Sequence, residues 1–236
     1  MNVIFLNNTE STQVYARNLV KTTQINQPTV IYTGNQTNGI GRSEEKSWQM
    51  KSESAIAMSV VFKINSDVSL PYSMIAAYFI STFYLTNYKI NIEVKWPNDL
   101  YLNGKKIGGI ITNIEKNQYG DLYCIIGIGI NLSDSPELND KISGYNASNI
   151  LKETCIFIKY DEDIKRLAEE ISGKDFKKIS PNIMKLLDKK LYMIGSSAII
   201  NEISGTFLGI DENGSAKIQS ENGEISYITS GSLKFL

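Results

Sequence analysis

The sequence predicts an α+β protein, a mixed sheet flanked by helices and followed by a small all-β module. Residues 1–190 alternate strand-length apolar runs with segments of helical period. After Tyr192 the texture changes to short β-patterned runs, punctuated by Ser204-Gly205, Glu212-Asn213-Gly214, Asn222-Gly223 and Ser230-Gly231. The third observation is size. At 236 residues, 42% apolar and 21% charged, the chain can bury one large core and carry a small second module.

The elements follow in order. Val3–Leu6 reads as a short buried strand. Asn8 to Thr12 supplies capping side chains, and Val14, Tyr15, Ala16, Leu19 and Val20 give the stripe of an amphipathic helix. Thr29–Thr33 is a second strand. Gly34 to Trp48 is polar, glycine-bearing and aperiodic, and reads as a loop whose length points to function or motion. Ala55–Ile64 is an apolar strand, and Pro71–Asn87 a buried helix with Pro71 in its first turn. Ile90 to Leu132 holds three or four strands, with turns at Asn103-Gly104 and Tyr119-Gly120-Asp121. Pro97 ends the first of them, because it has no N–H for a ladder. Asp161–Ile171 and Pro181–Leu191 are helices, the second with Ile183, Leu186, Leu187 and Leu191 on one face. A boundary near Lys189–Gly195 divides residues 1–190 from 191–236, a β-barrel or sandwich thin enough to lean on its neighbour.

Composition excludes several chemistries. Histidine is absent, which removes histidine triads, histidine metal sites and histidine acid–base catalysis. A net charge of −1 offers no basic field for DNA or an anionic membrane. Cys124 and Cys155 both lie among apolar residues and read as buried thiols in a reducing compartment. The longest apolar run, Met74 to Leu85, falls short of the ~20 residues of a membrane span. Met1 to Leu6 lacks the basic lead of a signal peptide, so the expected location is cytoplasmic.

Four segments carry chemistry. Lys95 to Ile110 packs cations, an amide, a carboxylate and a Gly-Gly pair around the Asn103-Gly104 turn, which places Lys106 on a strand returning toward Asn98 and Asp99. That gathering suits an anion-handling site. Gln36 to Trp48 offers bare glycine backbone beside Arg42 and Lys46, as anion cradling requires. Ser11 and Thr12 stand where an N-cap belongs. In Gly127-Ile128-Gly129-Ile130-Asn131, alternating glycines permit either close core packing or close approach of a ligand.

Lys95-Trp96-Pro97-Asn98-Asp99-Leu100 followed by Lys106-Ile107-Gly108-Gly109-Ile110 resembles the signature of the biotin protein ligases. The other three segments occur in that family's order, and Gly205–Leu236 is similar to its small SH3-like domain. The resemblance implies the class II synthetase-like catalytic fold and ATP-dependent formation of biotinyl-5′-AMP. Biotin then passes to a lysine of a biotin carboxyl carrier domain.

By the same resemblance, Lys106 and Arg42 are catalytic. Ser11, Thr12, Gln36, Gly39, Ile40, Gly41, Lys106 and Gly109 meet biotin. Arg42, Trp48, Lys95, Asn98, Asp99 and Asn131 meet ATP or the adenylate. Asp99 either orients Lys106 or holds Mg²⁺ through water. A homodimer is compatible with the family. The repressor-type winged helix has no room in the ten residues before Ser11, so DNA is not an expected partner.

The glycine loop departs from the family's Gly-Arg-Gly-Arg-X-Gly-Arg-X-Trp form. Ile40 replaces an Arg, and Glu44 and Glu45 replace Gly and Arg. Fewer cations should loosen retention of the adenylate. A lipoate or octanoate ligase or transferase and a non-catalytic biotin- or nucleotide-binding regulator are the alternatives.

Overall fold

The computed structural model describes residues 1–42, 47–50, 53–65, 71–134, 147–172 and 176–236. The elements begin with β1 (Asn2–Leu6), α1 (Thr12–Thr22), β2 (Thr29–Thr33), β3 (Gln36–Ile40), β4 (Ser47–Met50), β5 (Ala55–Ile64) and α2 (Tyr72–Tyr88). Next come β6 (Glu93–Lys95), β7 (Asp99–Leu102), β8 (Lys105–Lys116) and β9 (Leu122–Asn131). The helices α3 (Ile150–Thr154), α4 (Tyr160–Ser172) and α5 (Phe176–Asp188) follow. The chain closes with β10 (Ser197–Ile200), β11 (Ile203–Ile210), β12 (Ala216–Gln219), β13 (Ile225–Ile228) and β14 (Lys234–Phe235). It divides into two compact units, Met1–Val68 with Leu102–Lys174, and Ser69–Tyr101 with Asp175–Leu236.

In the first unit the sheet runs β1-β2-β5-β9-β8, with β1 parallel to β2 and the other pairs antiparallel. Ala16 and Val20 of α1 pack on Ile31, Val61, Tyr123 and Ile125 of the sheet, all buried. Each large side chain sealed this way contributes about 1.5–3 kcal/mol. Of the α1 stripe expected from the sequence, Ala16, Leu19 and Val20 meet this sheet, whereas Val14 and Tyr15 are exposed.

Four expectations are corrected. The first strand is not buried: β1 is the edge of the sheet, with Val3 and Phe5 exposed. The Gly34–Trp48 segment is not a plain loop, since it contains β3 and enters β4. β3 is held by Thr37 N–H to Thr9 O (3.1 Å) and Asn38 N–H to Glu10 O (2.8 Å). Partners that far away leave no local periodicity to read. Cys124 is buried, as expected, but Cys155 is exposed at the left-handed cap of α3 (φ 59°).

The fourth correction concerns α5 in the second unit. It begins at Phe176 and takes Pro181 into its interior, although proline there forfeits a helical hydrogen bond. The extra turn buries Phe176 edge-on against Tyr72 (5.5 Å between ring centroids) and Phe79 (6.5 Å) of α2. α5 stops at Asp188, before Leu191, because that residue is drawn into strand pairing. Val94 N–H donates to Lys190 O and Tyr192 N–H to Val94 O, both at 2.9 Å. The C-terminal strands form an antiparallel sheet in the order β13-β12-β11-β10-β14. Asp188 Oδ1 accepts from Ile210 N–H at 2.8 Å and ties α5 to β11.

Close approach of β8 to β9 depends on Gly108. A Cβ there would stand 2.3 Å from Gly129 O and 3.1 Å from Ile130 Cα. Gly108→Ala is expected to destabilise the protein by about 1–3 kcal/mol through overpacking. Urea unfolding should show a lower midpoint at unchanged slope, and an unchanged midpoint would contradict this packing.

Candidate functional site

The N-terminus of α1 is buried, with Ser11, Thr12 and Gln13 each at most 4% exposed. The first N–H groups of a helix have no partner within it and must find one elsewhere. Ser11 is extended (φ −156°), and its Oγ accepts from Val14 N–H at 3.4 Å. Thr12 N–H donates to Gln36 Oε1 at 2.9 Å, so β3 delivers the second cap. Opposite Trp48 in the β3–β4 pair stands Gly39. A Cβ on Gly39 would lie 2.2 Å from Gln36 Nε2 and 2.3 Å from Trp48 O, which only glycine avoids.

The Trp48 indole covers Gly129, where a Cβ would be 3.2 Å from Cε2. Gly129 pairs with Ala57 on one side and Gly109 on the other, so three small residues cross the sheet in a row. Gly127 is different: its space is filled by Gln13 Oε1 (2.5 Å from a built Cβ) and Ile111 Cγ1 (2.8 Å). Ser11, Thr12, Gln36, Gly39, Trp48 and Gly129 therefore form one run of contacts within the first unit. Ile40 is 38% exposed, Gly41 half-buried and Arg42 exposed at the end of this stretch. Glu44, Glu45 and Lys46 lie outside the described residues.

A second group lies at the start of β8. Asn103 and Gly104 both take positive φ (50° and 74°), as the Asn-Gly turn requires. Lys106 follows, half-buried, and its C=O accepts from Ser148 N–H at 2.9 Å. Ser148 O accepts from Asn131 Nδ2 at 3.0 Å. One residue thus ties Lys106 to Asn131, leaving the amide's Oδ1 as the acceptor end. Lys105 is committed elsewhere, pairing with Glu153 at 2.9 Å. Glu153 Oε1 also accepts from Ser148 Oγ at 2.5 Å. The Ser148 hydroxyl, then the Lys105 ammonium, hold the Glu153 carboxyl below its ordinary value of 4.5. Ser148 and Glu153 were not among the sequence candidates. The signal was there: Asn149 caps α3, its Oδ1 accepting from Lys152 N–H at 2.8 Å.

Lys95, Asn98 and Asp99 belong to the second unit. Asp99 pairs with Lys95 across the β6–β7 hairpin, and Asn98 N–H donates to Lys95 O at 3.2 Å. The turn contains a cis Trp96–Pro97 bond, and the buried Trp96 Nε1–H donates to Gly214 O at 2.9 Å. The Lys95 ammonium stands 5.5 Å from the ring centroids of Tyr101 and of Phe235, within cation–π reach. Among the described residues, no three Asp, Glu or Cys gather as a metal cage.

The site is thus a buried, polar helix N-terminus with a cap delivered by β3, beside a row of small residues under Trp48, on an α+β scaffold. The family model of the biotin/lipoate A/B protein ligases matches residues 5–131, and that of the biotin protein ligase C-terminal domain matches residues 201–233. The chain belongs to the biotin/lipoate A/B protein ligase family.

It is 27% identical over 207 residues to the bifunctional ligase/repressor of Bacillus subtilis, covering 83% of this chain and 62% of that protein. It is 29% identical over 147 residues to human biotin–protein ligase, covering 58% of this chain and 20% of that one. The chain thus spans less than two thirds of these relatives' length. Two solved structures share the fold. The biotin protein ligase of Aquifex aeolicus in complex with biotin and ATP superposes with a TM-score of 0.82 at 24% identity, covering 100% and 98% of the two chains. The Helicobacter pylori biotin acetyl coenzyme A carboxylase synthetase with bound biotinylated ATP gives 0.65 at 23%, covering 96% and 99%. The expected mixed sheet with flanking helices and β-rich C-terminal module is the fold these proteins share.

The Glu153 cluster has a pH signature. A carboxyl with a depressed folded pKa adds stability that is present above its unfolded value of 4.5 and is lost as pH falls through the folded value. Glu153→Gln should unfold at lower urea than the parent at neutral pH, and the gap should close in acid. A gap that stays constant down to pH ~3 would contradict the ion pair's role.

Proposed function

We propose that the protein activates biotin with ATP and transfers it to a lysine of a biotin carboxyl carrier domain. The biotin carboxylate attacks the α-phosphorus, pyrophosphate leaves, and a mixed anhydride forms. The carrier's lysine amine then attacks the anhydride carbonyl, an amide forms, and AMP leaves with the bonding electrons. The acyl-adenylate is already reactive, so the second step needs no histidine.

The observation that carries the reading is the meeting of Ser11-Thr12, Gln36-Gly39, Trp48 and Gly129, from four separate elements, beside one buried helix end. The names of the human relative, a biotin–protein ligase, and of one from Paracoccus denitrificans, a biotin–[acetyl-CoA-carboxylase] ligase, support biotin over lipoate. In this assignment Ser11, Thr12 and Gln36 hold the ureido ring. Gly39, Ile40, Gly41 and Gly109 bring backbone close to it. Trp48 stacks on the adenine and Asn131 accepts from its edge. Lys106 neutralises the carboxylate and the α-phosphate as charge develops, with Arg42 on phosphate oxygens.

For Lys95, Asn98 and Asp99 in the second unit the assigned role is toward the nucleotide. Mg²⁺ would enter with ATP and offset phosphate charge. Such an ion needs only one or two protein carboxylates beside phosphate and water, and Asp99 is the one assigned. No helix among the described residues is long and apolar enough to cross a membrane, and we place the reaction in the cytoplasm.

Pyrophosphate release tests this reading. Biotin plus ATP should release it and lipoate plus ATP should not. Lys106→Ala should lower the rate by about 10²–10³-fold. A variant that keeps more than about a tenth of the rate, a loss under about 1.4 kcal/mol, would contradict the role of Lys106. Lipoate turnover without biotin turnover would overturn the substrate.

A further inference from the structure

Behind Thr12 lies a buried polar relay that the reaction itself does not require. Ser59 is fully buried on β5, with its Oγ 3.0 Å from Thr12 Oγ1 and 2.9 Å from Gln13 Oε1. Gln13 Nε2 donates to Ile125 O at 3.1 Å and to Asn113 Oδ1 at 2.9 Å. Gly127 makes room for the Gln13 amide.

The direction of each proton in this relay follows from its far end. Ile125 O is a backbone carbonyl and can only accept, so the Gln13 amide must turn its NH₂ there and its Oε1 toward Ser59. That oxygen can also only accept, so the single Ser59 proton is spent on Gln13. Ser59 Oγ is then an acceptor toward Thr12, and the Thr12 hydroxyl must donate to it. What remains on Thr12 Oγ1 is a lone pair. Next to it, Ser11 Oγ accepts from Val14 N–H, which leaves its own proton to donate.

We propose that Ser59 and Gln13 are positioning residues that hold the Thr12 hydroxyl as an acceptor, so that the site selects ligands presenting an N–H beside a carbonyl, as a cyclic urea does. The inference rests on the biotin reading and deepens it. An acceptor beside a donor matches the N–H and C=O of one urea edge. A ring with oxygen in place of that N–H would set two lone pairs against each other, and the dithiolane of lipoate offers no N–H.

The test uses biotin and its two cyclic carbamate analogues, in each of which one ureido N–H is replaced by oxygen. Their KM values are read from pyrophosphate release. In the wild type, one carbamate should bind at least about tenfold worse than biotin. Ser59→Ala lets Thr12 turn its proton outward, so the ratio of that carbamate's KM to biotin's should fall several-fold, whereas a merely structural role would raise both KM values together. Ser59→Thr keeps a hydroxyl and should keep the ratio. If Ser59→Ala does not fold, Gln13→Met frees the Ser59 proton and should lower the ratio likewise. Equal KM values for biotin and both carbamates in the wild type would overturn the proposal without any variant. A ratio unchanged in the variants would also overturn it. Absence of biotin-dependent pyrophosphate release in the wild type would instead overturn the functional reading beneath it.

Discussion

Drawing a helix N-terminus into the protein interior creates a demand that the rest of the first unit is arranged to meet. The leading N–H groups of α1 cannot be left bare, and water is excluded from Ser11, Thr12 and Gln13. Ser11 meets one through its own side chain, and Gln36 meets another from β3. Holding Gln36 there requires β3 to pair along Thr9 and Glu10. That pairing in turn presents Gly39 and Trp48 over the small-residue row. In the proposed reading this polar helix end seats the neutral ring, because its donors and acceptors are already oriented before a ligand arrives.

Small residues set the other boundary condition. Gly108 admits β9 backbone, Gly39 admits Gln36 and Trp48, Gly127 admits Gln13 and Gly129 admits the Trp48 indole. The two glycines of the Gly-X-Gly strand thus do different jobs, one serving the buried relay and one the aromatic cover. The sequence reading left packing and ligand approach open there; in the structure, protein side chains occupy both spaces. Two residues beyond Gly129, the Asn131 side chain is linked through Ser148 to the Lys106 backbone, so the lysine and the amide are placed by one short segment.

Strong local signals were legible in the chain. Thr29–Thr33 and Ala55–Ile64 are strands at the expected bounds, and the Asn103-Gly104 turn has the positive φ values its residues favour. What sequence missed depends on distant partners. β3 is a strand because Thr9 and Glu10 are beside it. Phe176 is helical because Tyr72 and Phe79 are. Ser59 interrupts an apolar strand and carries no period of its own, so its bond to a residue 47 positions away had no trace in the pattern. Cys155 reads as buried by its apolar neighbours, yet Phe157 beside it is itself 78% exposed. Ligand-bound measurement tests the roles assigned to the site residues.

The most direct such measurement is a crystal structure of the protein with a non-hydrolysable biotinyl-adenylate analogue. The account predicts the urea ring at the α1 mouth, with hydrogen bonds of about 2.7–3.2 Å to Ser11 Oγ and Thr12 Oγ1. It also predicts the adenine against Trp48. A urea ring seated away from Ser11, Thr12 and Gln36 would contradict it.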